Sequence, residues 1–485
     1  MKNFKHIIRW LLLVFCLIWI SLSLYHSYKP LPAGISVATP ARSVQNVRFL
    51  ADFTWVDDND IRQTDQRIFE RIFELIAKAE RLIVLDMFLY NDFAGDTEAL
   101  KNDPNLRPLS KQLTTALIQR KTEAPNLRIV LITDPINQLY GGLESSRFKT
   151  LREAGIEVVM TDLNRLRDSN AVWSGFWRLC CQWLGNSSNG GWLPNPVGSN
   201  KVTLRTWLKL ANFKANHRKT LVVDTDQGLV GLVTSGNPHD ASSAHGNVAL
   251  EFMGPSVRDL LATEQAVLNF SDNDIKPLPT SQESNPTSAA SPTLQILTEA
   301  KIRDRVLQTV NTTQQGDRIN LAMFYLTHRD IIHALIDAHK RGADLRILLD
   351  PSEDAFGKKK NGIPNRQVAL ELNKVDIPIR WCDTHGEQCH SKLMLTRRAD
   401  NSAELLLGSA NFTRRNLDNL NLETNVVLVG ALDTPAITDA TAFFERRWHN
   451  APKQNFSRPY AYYADDSRLR YWRYRLMEFT GLSTF

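Results

Sequence analysis

Two stretches of the chain repeat one arrangement of polar residues, and this repeat restricts the possible folds more than any other feature. Residues 217–237 read HRKTLVVDTDQGLVGLVTSGN, and residues 390–411 read HSKLMLTRRADNSAELLLGSAN. In each copy a His-x-Lys pair precedes an apolar run and a Ser-x-Asn group, whose asparagine follows the histidine by 20 or 21 positions. A glutamate then follows the histidine by 34 or 33 positions. Five residue types at matched spacing predict one site built from two halves.

The segments before each copy also repeat. In the first half, DQRIFERIFELIAKAE and LSKQLTTALIQRK have helical periodicity, and RLIVLDMFLY and LRIVLITDP read as strands. The second half repeats this order with LTEAKIRDRVLQTV, RINLAMFYL, DIIHALIDAHKRG and DLRILLDP. The dipeptides Met-Phe and Asp-Pro recur at matching places in the two halves. We therefore predict an α/β protein of two homologous α/β/α halves that form one pseudo-twofold unit, with a largely parallel sheet.

Composition along the chain suggests six segments. The 485 residues are enough for two substantial cores, and the charged and hydrophobic fractions exclude wholesale disorder. The predicted segments are a membrane segment at 1–29, a Pro/Ala-rich tether at 30–41, a first half at 42–270, a Ser/Thr/Pro-rich linker at 271–293, a second half at 294–455 and a basic aromatic tail at 456–485.

The N-terminus has the pattern of a signal anchor. Lys2, Lys5 and Arg9 precede an apolar run over 10–24, and aromatic residues follow it. This run is intermediate in length between a signal-peptide core and a full membrane span, so a retained single-pass anchor and a cleaved signal, which would give a secreted protein, are both open. In either case the positive charges before the run predict that the bulk of the chain is extracytoplasmic, in a periplasm or lumen.

The first half is longer than the second. From Met87 to His217 is 130 positions, whereas from Met323 to His390 is 67. We place the additional chain at about 136–212, and it is rich in tryptophan. It could form a membrane-interface or lipid-accepting surface, or a lid packed on its own domain. The tail, RLRYWRYRLMEF, leaves a similar choice between an anionic surface and a helix docked on the fold.

The doubled motif resembles the signature of the phospholipase D superfamily, H-x-K-x4-D followed by G-S-x-N, as in cardiolipin synthase-like proteins. That resemblance implies a phosphodiesterase with a phosphohistidine intermediate that water or an alcohol resolves. Family order makes His217 the nucleophile and His390 the acid and then the base.

The residue types of the motif suit phosphodiester cleavage even without the family resemblance. Cleavage of a phosphodiester needs a neutral nucleophile, an acid for the leaving alkoxide and positive charge around the phosphate oxygens. Histidine can fill the first two roles without a metal, and Lys219 and Lys392 would supply the charge. Hydrogen bonds to phosphate or to the lysines are expected from Ser235, Asn237, Ser409 and Asn411. Glu251 and Glu423 would accept from the far ring nitrogen of a histidine.

Each copy departs from the family pattern. The first has Asp224 at the motif position but Thr234 in place of the glycine. The second keeps Gly408 but has Arg397 where aspartate is expected, and Asp400 is the available substitute. Because the motif aspartate is mainly a structural partner, we still expect an active enzyme.

The cysteines offer a rival interpretation of the second copy. Cys382, His385, Cys389 and His390 have zinc-like spacing, but an oxidising compartment favours a Cys382–Cys389 disulfide. Cys180 and Cys181 are either cross-linked or buried.

We therefore predict a metal-independent enzyme of phospholipase D type that hydrolyses phospholipids or transfers their phosphatidyl group. We expect no cofactor, no metal and no obligate protein partner. The partner would be a phospholipid or a membrane surface. The net charge of +6 also suits nucleic acid, so an extracytoplasmic nuclease is one alternative. An inactive phosphate-binding protein is another.

Overall fold

Each copy of the motif opens a strand at the centre of a β-sheet. The computed structural model describes residues 2–95, 100, 103, 105–195, 200–272, 274–279, 292–355, 358–483 and 485. The strands, in chain order, are β1 Arg42–Ser43, β2 Gln45–Ala51, β3 Phe53–Val56, β4 Arg62–Asp65, β5 Leu82–Met87, β6 Arg128–Thr133, β7 Glu157–Met160, β8 Leu193–Pro194, β9 Lys201–Val202, β10 Lys219–Thr225, β11 Gly228–Thr234, β12 Val248–Met253, β13 Thr293–Thr298, β14 Arg318–Met323, β15 Asp344–Leu349, β16 Asp354–Ala355, β17 Lys358–Lys359, β18 Ile379–Cys382, β19 Lys392–Arg397, β20 Ser402–Gly408, β21 Thr424–Ala431 and β22 Ser457–Pro459. The helices are α1 Lys2–Tyr28, α2 Ile68–Ala77, α3 Leu109–Glu123, α4 Ser146–Glu153, α5 Ala171–Cys180, α6 Leu204–Leu210, α7 Pro255–Ser271, α8 Ala300–Asn311, α9 Arg329–Lys340, α10 Asn365–Asn373, α11 Arg414–Leu417, α12 Pro435–His449 and α13 Arg468–Thr480.

The two large sheets have matching strand orders. The first half forms β2-β12-β11-β10-β5-β6-β7, and the second half contains β13-β21-β20-β19-β14-β15-β18 in the same sense. The register is also the same, because Lys219 lies opposite Met87 and Lys392 lies opposite Met323. The α/β fold class is therefore confirmed, and the repeat seen in the sequence is a repeat in space.

The prediction of a largely parallel sheet is wrong. Only β5-β6-β7 and β14-β15-β18 pair in parallel, and the other pairings within these sheets are antiparallel. The helix–strand alternation that suggested parallel pairing ends before each motif. Each motif instead opens a hairpin whose two strands are joined by a short turn, which requires antiparallel pairing.

The insertion begins later than predicted. Within 136–212, α4 and β7 belong to the sheet layer and correspond to α10 and β18 of the second half. The difference between the halves is concentrated between Met160 and His217, which are 57 positions apart, whereas Cys382 and His390 are 8 apart. The insertion has its own packing, since Trp177 is buried, but Trp183 and Trp192 are exposed.

The segment predicted as a tether at 30–41 packs against the second half. The backbone of Val37 and Thr39 pairs with Thr298 and Ile296, and β1 adds to the edge of β13. Most of the linker predicted at 271–293 lies outside the described residues. The part of α1 from Asn3 to Tyr28 is long and apolar enough to cross a membrane, and a signal sequence would have the same properties.

Candidate active site

The two motif histidines are each held by a residue from the opposite half. Nδ1 of His217 lies 2.9–3.0 Å from the Glu423 carboxylate of the second half. Nδ1 of His390 lies 3.1 Å from Oδ1 of Asn247 in the first half. In both rings Nδ1 is engaged, which leaves Nε2 for a substrate. The two half-sites are therefore interlocked, and neither is complete alone.

The motif lysines are fully buried beside the histidines. Nζ of Lys219 donates to the carbonyl of His217 at 2.6 Å, and Nζ of Lys392 donates to that of His390 at 2.8 Å. Each ammonium also lies 5.1 Å from the ring centroid of a phenylalanine that follows the adjacent central strand, Phe88 or Phe324. The two cations thus occupy equivalent positions with room to donate further hydrogen bonds.

The motif serines connect the histidine partners to the sheets. The Ser235 hydroxyl donates to Asn247 at 3.1 Å, and the Ser409 hydroxyl donates to Glu423. The side-chain oxygen Oδ1 of Asn237 accepts from the backbone N–H of Leu89 at 3.3 Å. The serines thus position Asn247 and Glu423, and Oδ1 of Asn411 is buried without a hydrogen-bond partner among the described residues.

Burial controls the charge of the site. Burial lowers the pKa of His217 to about 4, against the opposing effect of Glu423, and lowers the pKa of His390 well below its ordinary value, with Lys392 adding to the effect. Burial also lowers the pKa of Lys219 to about 7. Burial would raise the pKa of Glu423, but His217 and Lys219 hold it below its usual range. An anion bound among these groups would favour their protonated forms.

Two aspartates that we had not assigned to the site position the motif backbones. Asp134 accepts from the backbone N–H of Asn216 at 2.7 Å, and Asp350 accepts from that of Cys389 at 2.9 Å. Both N–H groups belong to the residue immediately before a motif histidine. Burial raises the pKa of Asp134 to about 7 and that of Asp350 to about 8. The repeated Asp-Pro dipeptide was the sequence signal for this role.

Arg218, between His217 and Lys219, joins the halves through a second buried contact. Its guanidinium is fully buried and donates to Glu299 at 2.9 Å. Glu299 in turn accepts from the backbone N–H of Glu423 at 3.0 Å. Glu264 of the first half lies 3.5 Å from the same guanidinium, so Arg218 is paired with a buried carboxylate from each half, and Glu299 links it to the backbone of Glu423 beside His217.

The prediction for Glu251 is wrong. Its carboxylate pairs with Arg71 at 2.7 and 2.9 Å and contacts neither histidine. Asn247 occupies the place that we assigned to Glu251. Glu251 lies farther along β12, where its carboxylate faces α2 rather than the site. No chemical match between the two copies points to Asn247, because an amide stands in the first half where a carboxylate stands in the second.

Asp224 is also outside the site. It is five residues along β10 from Lys219, and its carboxylate accepts from Nε of Arg81 at 2.7 Å. In the second half Asp317 stands at the position of Arg81, and Arg398 donates to it at 3.0 Å. Arg397 occupies the motif position itself, and its neighbour Arg398 forms with Asp317 an ion pair of reversed polarity at the same end of the strands.

Asp400, the substitute that the sequence suggested for the motif aspartate, does not fill that role. It is exposed in the turn between β19 and β20, where its carboxylate accepts from Ser402. Arg398 and Asp317 therefore do what Asp224 and Arg81 do in the first copy.

Cys382 and Cys389 form a disulfide, so the alternative of a zinc site loses two of its four ligands. His385 pairs with Asp383 at 3.2 Å. The described residues contain no group of three or more His, Cys, Asp or Glu side chains placed to hold a metal ion. Cys180 and Cys181 are cross-linked to each other.

The comparisons with known proteins agree with this geometry. Residues 306–448 match a family model described as "Cardiolipin synthase, PLD-like domain". No curated protein matches the chain. Among solved structures, the phosphatidylserine synthase of Haemophilus influenzae Rd KW20 aligns with a TM-score of 0.56 at 10% identity, over 90% of this chain and 93% of that one.

Two further structures align less well. Polyphosphate kinase from Porphyromonas gingivalis has a TM-score of 0.44 at 12% identity, over 89% of this chain and 53% of that one. The phospholipase D family member Nuc from Salmonella typhimurium has a TM-score of 0.26 at 22% identity, over 34% of this chain and 98% of that one. Of these three structures, the synthase is the one whose alignment shows a shared fold.

The family match lies within the second half and includes His390, Lys392, Ser409, Asn411 and Glu423. The synthase alignment extends the fold to nearly the whole chain, including the half that carries His217. The resemblance drawn from the doubled motif is thereby confirmed: residues 306–448 match a phospholipase D-like domain, and nearly the whole chain shares the fold of the synthase.

Proposed function

We propose that the protein is a metal-independent phosphodiesterase of phospholipase D type, which acts on phospholipids through a phosphohistidine intermediate. The observation that carries this proposal is the reciprocal holding of the two histidines, His217 by Glu423 and His390 by Asn247. Two imidazoles with oriented Nε2 atoms and two buried lysines supply every group that phosphodiester cleavage requires.

In the first step, Nε2 of His217 attacks phosphorus while the bond to the leaving alcohol oxygen breaks. His390 gives its Nε2 proton to that oxygen. The phosphorylated ring of His217 keeps its Nδ1–H and is formally cationic, and the Glu423 carboxylate stabilises this charge. Lys219 and Lys392 bind the phosphate oxygens, whose negative charge would otherwise repel the nucleophile.

In the second step, neutral His390 removes a proton from water or from an alcohol, whose oxygen attacks phosphorus and displaces His217. Asn247 suits His390 for both steps. Its amide oxygen accepts from Nδ1 without the full charge of a carboxylate, so His390 is the weaker base and the more readily dissociated acid of the two.

A lipid substrate is favoured by three features. The candidate membrane span at Asn3–Tyr28 would hold the site near a bilayer as a retained anchor, with the remainder of the chain extracytoplasmic. The family description names cardiolipin synthase, and the structure with the same fold is a phosphatidylserine synthase. On this basis, transfer to an alcohol and hydrolysis are both within the proposed activity.

The experiment compares lipids with nucleic acid in the full chain, solubilised in mixed micelles. The substrates are phosphatidylglycerol, phosphatidylcholine and single-stranded DNA, each with and without added glycerol. We expect release of headgroup, or exchange of headgroup for glycerol, and no cleavage of DNA. His217→Ala and His390→Ala should each lower the rate by at least about a thousandfold.

Asp224→Asn serves as the matched control, because this motif residue pairs with Arg81 away from the site and should retain most activity. Nucleotide release without headgroup chemistry would replace the lipid proposal with the nuclease. Equal turnover by the histidine variants and the unaltered chain would eliminate the two-histidine mechanism. Binding of phosphate without turnover of any substrate would identify an inactive phosphate-binding protein.

A further inference from the structure

The last helix, α13, is attached to the fold by one face and presents large apolar side chains on the other. Tyr474 is fully buried, and its hydroxyl lies 3.5 Å from the carbonyl of Thr327. The exposed face carries four apolar side chains at helical spacing, with exposed fractions of 81%, 69%, 63% and 84%: Leu469, Trp472, Leu476 and Phe479. At 3.6 residues per turn these four fall within about 80° of the helix circumference. A narrow apolar stripe of this kind marks an interaction surface.

Arginines flank this stripe on both sides. Arg473 lies on one edge, and Arg468 and Arg475 lie on the other. An apolar stripe bordered by cationic side chains is the arrangement of helices that lie in a membrane interface, with the apolar face in the acyl chains. Arginines next to such a stripe are attracted to anionic lipid headgroups. The flanking charge therefore favours a bilayer over a second protein as the occupant.

The C-terminal end of α13 is fixed against the insertion. Gly481 ends the helix in a left-handed conformation, and a Cβ there would collide with the carbonyl oxygen of Ser169. Ser169 directly precedes Asn170, the N-cap residue of α5. The exposed stripe is consequently held at a fixed position relative to α5.

Helix α5 packs against α1, the candidate membrane span. Nε1 of Trp19 donates to the carbonyl of Val172 at 2.9 Å, and the rings of Trp19 and Phe176 are 6.0 Å apart. Gly175 permits this approach, because a Cβ there would meet Ser23 and lie 3.0 Å from Trp19. Close contact at a small residue is typical of helices packed in membranes.

The depth of this contact follows from helix geometry. The 26 residues of Asn3–Tyr28 would be about 39 Å long, whereas the hydrocarbon core is about 30 Å thick. With the helix centred on the core, the boundary where α1 leaves the membrane lies near His26, whose carbonyl accepts from the backbone N–H of Asp168 at 2.9 Å. Ser23 and Trp19 then lie about 5 and 10 Å inside that boundary. The exposed Trp183 and Trp192 of the insertion suit the same interface. Because α5 connects α1 to the end of α13, that interface is within reach of the stripe.

The same end of α13 leads to the candidate active site. The ring of Phe485, the last residue, lies 6.3 Å from that of Tyr325, whose ring is 4.0 Å from that of Phe324. Phe324 lies 5.1 Å from the His390 ring. A bilayer in contact with α13 would therefore be close to the half-site that contains His390.

We propose that α13 lies in the interface of the membrane that α1 crosses and inserts the side chains of Leu469, Trp472, Leu476 and Phe479 into an anionic lipid leaflet. This second attachment holds the half-site that contains His390 close to the lipid. It deepens the proposed function and rests on α1 as a retained anchor.

The test measures the depth of one residue in the full chain. Cys16 is the one free cysteine among the described residues, so Cys16→Ser provides a background for a nitroxide on Leu476→Cys. His217→Ala is included so that lipid is not consumed. In vesicles of phosphatidylcholine and phosphatidylglycerol, we expect the ratio of collisions with oxygen to collisions with a water-soluble nickel chelate to be severalfold higher at position 476 than at Arg470→Cys. Position 470 lies on the same helix, about 120° from position 476 around its axis.

Phe479→Cys repeats the measurement on the same stripe and covers the case in which Leu476→Cys fails to fold. An equal and low ratio at 476, 479 and 470 would overturn the proposal. A high ratio in pure phosphatidylcholine that phosphatidylglycerol does not increase would overturn its anionic component. Because the readout requires no turnover, a negative result here combined with lipid cleavage would reject the role of α13 and leave the proposed function intact.

Discussion

Asn247 and Glu423 occupy equivalent places in the two half-sites but differ in charge. Each holds Nδ1 of a histidine from the opposite half and accepts from the motif serine of its own half. A carboxylate stabilises an imidazolium more than an amide does. This difference is the physical basis for giving His217 and His390 separate roles.

Replacing Asn247 with aspartate should alter the pH dependence in one direction. A carboxylate beside His390 raises the pKa of that ring, because it favours the protonated form. Since His390 must be protonated in the first step, activity falls as pH rises through this pKa. We therefore expect the high-pH limb of the kcat/KM profile to move upward by about one pH unit or more.

Glu423→Gln is the matched opposite change. Glu423 supports the protonated form of His217, so its removal lowers the pKa of that ring. His217 must be neutral to attack, and the low-pH limb should move to lower pH. If Asn247→Asp moved the low-pH limb instead, the roles of the histidines would be reversed.

Some residues of the site could be predicted from the sequence and others could not. Histidine, lysine, serine and asparagine could be predicted because their spacing is kept in both copies. Asn247 could not, because it shares neither type nor spacing with Glu423, and Glu251 offered a closer chemical match. Which side chain reaches a ring depends on the register of β12, which distances along the chain do not record.

At the scale of elements, the Cys382–Cys389 disulfide joins the end of β18 to the start of the second motif. Cys389 directly precedes His390, and its backbone N–H is held by Asp350. The buried Arg447 guanidinium lies 2.6 Å from the sulfur of Cys389 and 3.1 Å from the hydroxyl of Ser391. The disulfide is therefore one of the contacts that position His390.

Cys382→Ser should lower both stability and activity. Opening a loop of seven positions removes about 2–3 kcal/mol from the free energy of unfolding. Misplacement of His390 should lower kcat by about tenfold to a hundredfold, with less effect on KM. Thermal melting and steady-state kinetics on mixed micelles provide the measurements.

Cys16→Ser, which changes a cysteine that forms no disulfide, is the control and should match the unaltered chain. Full kcat in Cys382→Ser would show that the remaining contacts of Cys389 and Ser391 hold His390 without the disulfide.

At the scale of the whole molecule, the two halves share one interior. Val222 and Leu250 of the first half belong to the same apolar cluster as Leu393 and Leu405 of the second. The backbone N–H of His217 also donates to the carbonyl of Leu422 across the interface at 2.9 Å. We propose that 42–270 and 294–455 are homologous units that function only as a pair.

This proposal predicts that the covalent connection between the halves is dispensable after folding. A protease site placed within 281–290, inside the predicted linker, should allow cleavage without loss of activity. The fragments should co-elute in size-exclusion chromatography, because the shared core and the Arg218–Glu299 pair hold them together. Separation of the fragments, or loss of turnover on cleavage, would contradict it.

The sequence repeat predicted the two α/β halves correctly, but it did not predict the direction in which the strands of each sheet pair. Duplicated motifs imply duplicated units, so the α/β halves followed from the sequence. The antiparallel hairpins did not, because buried strands of either orientation have the same apolar pattern. The contact of residues 37–39 with β13 was also missed, since a Pro/Ala-rich segment has no periodicity that identifies an edge strand.

We propose that His217 and His390 act as nucleophile and acid on one phosphorus atom. This can be tested with a phosphodiester whose nitrophenol leaving group departs without protonation, on the full chain carrying His390→Ala. We expect a burst of one nitrophenolate per protein and a phosphoryl adduct on the peptide containing His217, because His217 can still attack phosphorus whereas no His390 remains to activate water for the second step. His217→Ala should show neither the burst nor the adduct. A burst in His217→Ala, or an adduct on any other residue, would show that His217 is not the nucleophile.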